Sequence, residues 1–176
     1  NPPIYFSATD IKDWQLTIPG EHNRQNVAAM WSVVKYLGIS ESEAQAAIQD
    51  FTGIPFRQEK IGVVGGVTYI NDTTATTPVA ATFALRAQPC PFILICGGAT
   101  KNLPLDIFLD EIKSNILLKK IILLGSHNIP EFTTPLNAFA KDKIIAQVDS
   151  MKEAVMQAHA NALPGEVVLL SPGFVS

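Results

Sequence analysis

Apolar and polar positions along the chain fall into short registers that change from one period to another. Residues 14–18, WQLTI, alternate apolar and polar side chains, and this period of two predicts a half-buried strand ended by Pro19 and Gly20. From His22 the period becomes helical. Val27, Met30, Trp31, Val34 and Leu37 fall on one face, and Gly38 supplies a C-terminal stop. Ser40 with Glu43 forms a Ser-x-x-Glu capping box for a second helix, which runs through Ala47 to about Asp50. The stretch FTGIPFR at 51–57 keeps neither period, and its Gly53 and Pro55 place a domain boundary there.

Beyond that boundary strands and helices alternate. KIGVV and GVTYIND read as a hairpin turning at Gly65 and Gly66. TPVAATFALRA is a helix with Thr77 as cap and Pro78 at its first position. Then follow strand PFILICGG, helix LPLDIFLDEIKSN, strand KKIILLGS, a weaker helix IPEFTTPLNAFA, short strand KIIAQV, helix MKEAVMQAHANA and strand EVVLLSP. In the last helix Met151, Val155, Ala158 and Ala162 are expected to face the core. Several of the strands are unbroken apolar runs, as parallel strands covered by helices on both faces require. The expectation is an α/β fold: a Rossmann-like, doubly wound, mainly parallel sheet over residues 54–176, preceded by the helices of 1–53. Ligands of such sheets bind beyond the carboxyl ends of the strands, which singles out residues 71–77, 97–101, 126–128 and 171–176.

Composition narrows the partners. The 176 residues are 47% hydrophobic and 16% charged, with a formal net charge of -3, so a sizeable core is expected and a basic nucleic-acid or anionic-membrane surface is not. Cys90 and Cys96 cannot staple a chain of this size, and Cys96 lies within FILIC, so a reducing cytoplasm is expected. No apolar run approaches the ~20 residues of a membrane helix. The chain opens on Asn1 and closes on LLSPGFVS, a strand and turn leading nowhere, so it reads as an excerpt.

Three loops are candidates for chemistry. NDTTATTP at 71–78 could be turn and cap residues, or Asp72 could accept hydrogen bonds from sugar hydroxyls while Thr76 and the helix start receive an anion. GGATK at 97–101 combines glycines that permit close approach with the ammonium of Lys101, which is either solvated or a carboxylate or phosphate partner. EHNRQN at 21–26 places Asn23 and Asn26 three apart at a helix start, either as caps or as paired amides reading a heterocycle such as adenine. Arg57 in PFRQE serves equally as a salt-bridge partner or a phosphate ligand. A triphosphate-binding G-x-x-x-x-G-K-[ST] loop, a G-x-G-x-x-G fingerprint and a G-x-S-x-G elbow are all missing. His22, His127 and His159 have no ligand-spaced partners, so no protein metal site is expected.

Taken in order, GEHNRQN, FTGIPFRQE, GVTYINDTTATTP followed by Ala81, Thr82, Ala84 and Leu85, then ICGGATK and LLSPGFVS resemble the Mur ligases, most closely the D-glutamate-adding branch. The resemblance runs from about residue 14 to the end. It implies that residues 1–53 are the tail of a central ATP-binding domain and that 54–176 are the carboxyl-terminal Rossmann-like domain. It further implies an ATP-dependent ligase of peptidoglycan synthesis that joins D-glutamate to UDP-N-acetylmuramoyl-L-alanine through an acyl phosphate, with Mg2+ held outside this portion. The whole enzyme is expected to be a monomer of the bacterial cytoplasm, and this portion to be inactive alone. Carried over residue by residue, Asn23 and Asn26 match positions near adenine, and Arg57 and Asp72 match positions holding ATP phosphates and ribose. Thr76, Lys101 and Ser176 match positions that bind D-glutamate, and Lys101 is also the expected catalytic residue. Where the family commonly has N-D-S-K-A-T-N, this chain has Thr74 in place of the lysine. A hydroxyl supplies no charge, so either Lys101 carries more of the carboxylate recognition or the amino acid lies differently. The alternatives are a non-catalytic Rossmann-like module that binds a nucleotide or amino acid, and a sister ligase such as a folylpolyglutamate synthetase.

Overall fold

The structure, a computed structural model, describes residues 3–125 and 129–175. The chain divides into two compact units, Asn1–Gly53 and Ile54–Ser176. Among the described residues no helix is long and apolar enough to cross a membrane.

The first unit carries α1 (Glu21–Tyr36) and α2 (Glu41–Gln49), preceded by a 3-10 turn at Ala8–Ile11. Its core gathers Ile11, Trp14, Val27, Ala28, Trp31 and Ala44. The Trp14 and Trp31 rings lie 5.4 Å apart, and the Trp14 indole N–H donates to Glu41 at 3.0 Å. Ser40 and Glu43 close the expected capping box. Two expectations are corrected. Residues 14–18 form no strand: Trp14 is buried and Leu16 and Ile18 pack against the core, but no described strand in this unit takes up their backbone groups. The alternation there records burial without a ladder. Leu37 lies past the end of α1 and is exposed, so the apolar face stops at Val34.

The second unit is a six-stranded sheet in the order β1-β2-β6-β3-β4-β5. Its elements are β1 (Glu59–Val64), β2 (Val67–Asn71), α3 (Pro78–Arg86), β3 (Phe92–Gly97), α4 (Asp106–Ser114), β4 (Leu118–Leu124), α5 (Pro130–Ala140), β5 (Ile144–Val148), α6 (Met151–Asn161) and β6 (Val167–Gly173). Among the described residues the β1–β2 pair is antiparallel and the other strand pairs are parallel. Its two-residue turn needs positive φ at both positions, met by Gly65 at 59° and Gly66 at 81°.

Burial explains why β3 is apolar throughout. Phe92, Leu94 and Cys96 join the cluster under α3, α4 and α5, whereas Ile93 and Ile95 join the cluster under α6. Both faces of the sheet are therefore covered, as the doubly wound expectation requires. Each such large side chain contributes about 1.5–3 kcal/mol relative to exposure. Burial also pushes the Cys96 thiol up to about 12, which leaves it inert as a nucleophile.

The packing face of α6 agrees with the expected one at Ala158 and Ala162 and departs from it at Met151 and Val155. Ala154 and Ala158 are fully buried, while Met151 is 40% and Val155 39% exposed. Ala162 remains partly buried against the same cluster. The helix lies against the sheet on its alanines, whose small side chains permit close approach, and sends its larger apolar groups outward.

Candidate active site at the carboxyl edge of the sheet

The sheet order places β6 between β2 and β3, so the ends of these three strands are adjacent although distant in sequence. Hydrogen bonds sew their loops together. The Asp72 N–H donates to the Leu170 carbonyl at 2.7 Å, and the Gly173 N–H donates to the Ala75 carbonyl at 2.8 Å. On the other flank Ala99 and Val175 exchange backbone bonds of 2.6 and 3.1 Å. Gly98 is what lets these chains meet, since a Cβ there would strike the Val175 carbonyl and its φ is 139°.

Within this edge Thr76 and Lys101 line one shallow depression together with Thr100, Gly173 and Phe174. Its cavity volume is only about 10 Å³, the room needed by roughly one water. An amino acid would therefore sit over it, or enter as the loops part. Lys101 is exposed and its ammonium makes no hydrogen bond or ion pair among the described residues, which leaves its charge available. Thr77 caps α3, its side-chain oxygen accepting from the Ala80 N–H at 3.2 Å, so the neighbouring Thr76 side chain is not used for that purpose. Ser176 and the loop 126–128 lie outside the described residues.

Asp72 is buried beneath the same edge at 4% exposure. Its Oδ2 accepts from the Ser171 hydroxyl at 2.8 Å, and its Oδ1 accepts from the Gln58 N–H at 3.0 Å. Burial raises its pKa above the usual carboxylate value, opposed by the Ser171 hydroxyl, the Gln58 amide and the Arg57 charge. The Asp72 carboxylate thus ties β2, β6 and the segment before β1. Arg57 is exposed and contributes its charge to this carboxylate.

The two asparagines belong to the first unit, where both sit in the opening turns of α1 but in different surroundings. Asn23 is buried, its side-chain amide donating to the Pro19 carbonyl at 2.6 Å, whereas Asn26 is exposed. The amide N–H of Asn23 is engaged locally.

Three residues lie in the loops singled out from the sequence, but their contacts were not legible there. Ser171 is the partner of Asp72 across 99 positions, a pairing that strand order alone reveals. Phe174 anchors the end of β6 among Phe108 and Phe132, at ring separations of 6.5 and 4.9 Å. Thr74 donates to the Phe56 carbonyl from its hydroxyl at 2.9 Å. A signal for Phe174 was present in the apolar residues at 174 and 175, which continue the strand pattern past the Pro-Gly.

This Rossmann-like α/β architecture is shared with solved ligase structures. No family model matches the chain. It is 37% identical over 169 residues to the UDP-N-acetylmuramoylalanine–D-glutamate ligase of Desulfitobacterium hafniense, an alignment covering 94% of this chain and 36% of that enzyme. The chain therefore spans about a third of the length of that curated relative. Among solved structures, the UDP-N-acetylmuramate–alanine ligase of Thermotoga maritima superposes with a TM-score of 0.69 at 15% identity, over 91% of this chain and 36% of that one. Folylpolyglutamate synthase of Mycobacterium tuberculosis, complexed with ADP, gives 0.67 at 17% identity, over 92% and 40%. These two likenesses speak to the fold. The chain is a homologue of the Mur ligases. Its sequence relatives within them are the UDP-N-acetylmuramoylalanine–D-glutamate ligases.

Proposed function

We propose that this chain is the amino-acid-binding portion of an ATP-dependent ligase that joins D-glutamate to UDP-N-acetylmuramoyl-L-alanine in peptidoglycan synthesis. Residues 54–176 would be its carboxyl-terminal domain, and residues 1–53 the end of its central ATP-binding domain. The observation that carries the reading is the meeting of Thr76 and Lys101 at one depression on the carboxyl edge of the sheet. An unpaired ammonium beside a hydroxyl suits a dicarboxylate amino acid, because it offers a charge-assisted hydrogen bond and a neutral one. The identity to the D-glutamate ligases supports the choice of amino acid.

In this reading ATP phosphorylates the carboxylate of the UDP-linked substrate, the amine of D-glutamate attacks the acyl carbon, and phosphate leaves. The part played by this chain is to position the amine. Lys101 holds a carboxylate of the amino acid, Thr76 and Ser176 orient it, and the encounter becomes an intramolecular step. Arg57, exposed at the same end of the domain, faces the phosphates of ATP, and Asp72 supports that corner or meets the ribose. Asn23 and Asn26 stand near adenine. In this reading the Mg2+ ligands belong to the rest of the longer protein. Such an enzyme works as a monomer in the bacterial cytoplasm.

The test is phosphate release by the full-length protein with UDP-N-acetylmuramoyl-L-alanine, ATP and a panel of amino acids. Turnover that depends on D-glutamate is expected, with none from the 176-residue chain alone. Turnover that requires a folate and L-glutamate instead would overturn the substrate assignment. ATP-dependent turnover by the short chain would overturn the division of labour.

A further inference from the structure

Arg57 stands between two residues in the left-handed region: Phe56 has a φ of 65° and Gln58 a φ of 45°. Side chains other than glycine, asparagine and aspartate rarely adopt that conformation, so the turn must be held from outside. The holding contacts come largely from the loop after β2. Thr74 meets the Phe56 carbonyl twice, its N–H donating at 3.1 Å and its hydroxyl at 2.9 Å. Asp72 accepts from the Gln58 N–H at 3.0 Å, and Glu59 accepts from the Phe56 N–H at 2.8 Å. The backbone on either side of Arg57 is thereby pinned. The guanidinium itself makes no hydrogen bond or ion pair among the described residues and remains exposed.

We propose that Thr74 is a positioning residue, whose hydroxyl acts with Asp72 to clamp the 56–58 turn and so present Arg57 to an anionic ligand. The inference rests on the reading above, in which that anion is the triphosphate of ATP. It also gives position 74 a purpose of its own. A lysine at that position would reach outward with a charge, whereas the short hydroxyl here turns back onto a backbone carbonyl.

The experiment is a mutant cycle in the full-length protein, measuring KM for ATP and kcat with the other substrates saturating. Thr74→Val keeps the shape and removes the hydroxyl, Thr74→Ser restores it, and Arg57→Ala removes the group being positioned. Thr74→Val is expected to raise KM for ATP about 5- to 10-fold with kcat within about twofold, and Thr74→Ser to restore it; in the Arg57→Ala background Thr74→Val should add nothing. An equal loss in both backgrounds would overturn the proposal, because Thr74 would then act independently of Arg57. An effect of Arg57→Ala with none of Thr74→Val would overturn the clamp and leave the function standing. No effect of Arg57→Ala would overturn the ATP assignment and the proposal with it. Amide hydrogen exchange at Gln58 in the 176-residue chain reads the clamp without ATP. Thr74→Val should speed that exchange about 10-fold, and an unchanged rate would contradict the clamp.

Discussion

Lys101 and Asp72 show how differently two charged residues on one sheet edge can be employed. Lys101 is exposed and unpaired among the described residues, so its removal leaves no buried partner unsatisfied. In the full-length protein Lys101→Ala is expected to raise KM for the amino acid by about 10-fold or more, the scale of one charge-assisted hydrogen bond, with KM for ATP unchanged. Steady-state kinetics with each substrate varied in turn would check it. Asp72 is buried and has two donors of its own. Asp72→Ala should destabilise the domain by about 1–3 kcal/mol, because the Ser171 hydroxyl and Gln58 amide lose their acceptor, and urea unfolding reads this directly.

Asp72 also predicts a pH dependence with a definite sign. Its folded pKa is raised above its unfolded value, chiefly by burial, so within that interval the folded state binds more protons. Stability contributed by this group is greatest below the unfolded pKa, falls as pH rises toward the folded pKa, and is constant above it. Asp72→Asn keeps an acceptor for Gln58 and should abolish this fall, which a series of unfolding curves across the acid range would detect. A wild-type slope of the opposite sign there would show that other carboxylates dominate.

At the level of elements, two junctions can be tested. The bridge between Ala99 and Val175 exists because residue 98 has no Cβ. Gly98→Ala is expected to break the bridge and cost about 1–3 kcal/mol, seen as a lower Tm and faster exchange of the Ala99 amide. The second junction is the face of α6. Since Ala158 is fully buried and Val155 is 39% exposed, Ala158→Leu should cost about 1–3 kcal/mol by overpacking, while Val155→Ala should stay within about 0.5 kcal/mol. Thermal unfolding of the pair would distinguish this face from one built on Met151 and Val155. The helical period at 151–162 was plain in the sequence, but its phase was not. Alanine packs closely without adding hydrophobic weight, so a count of apolar side chains keeps Ala158 and Ala162 but draws in Met151 and Val155 in place of Ala154. Residues 14–18 illustrate the converse, for alternation marks which side chains are buried and says nothing of whether a neighbouring strand exists.

On the scale of the whole molecule, the two units each possess their own core, one around Trp14 and Trp31 and the other on both faces of the sheet. Residues 54–176 expressed alone should therefore retain a cooperative unfolding transition and the circular dichroism of an α/β domain; a chain without either would show that the first unit is needed for folding.

What the sequence determined by itself was the kind and order of elements in the second unit, because unbroken apolar runs, caps and the Gly-Gly turn are local consequences of burial and backbone conformation. From their place at strand ends it also raised the expectation that the loops after β2, β3, β4 and β6 are ligand-side. Only the tertiary structure decided that β6 inserts between β2 and β3. That insertion is a long-range choice of hydrogen-bonding partners, invisible to any local period. It is what brings Ser171 to Asp72 and the Gly173–Phe174 segment to Thr76 and Lys101.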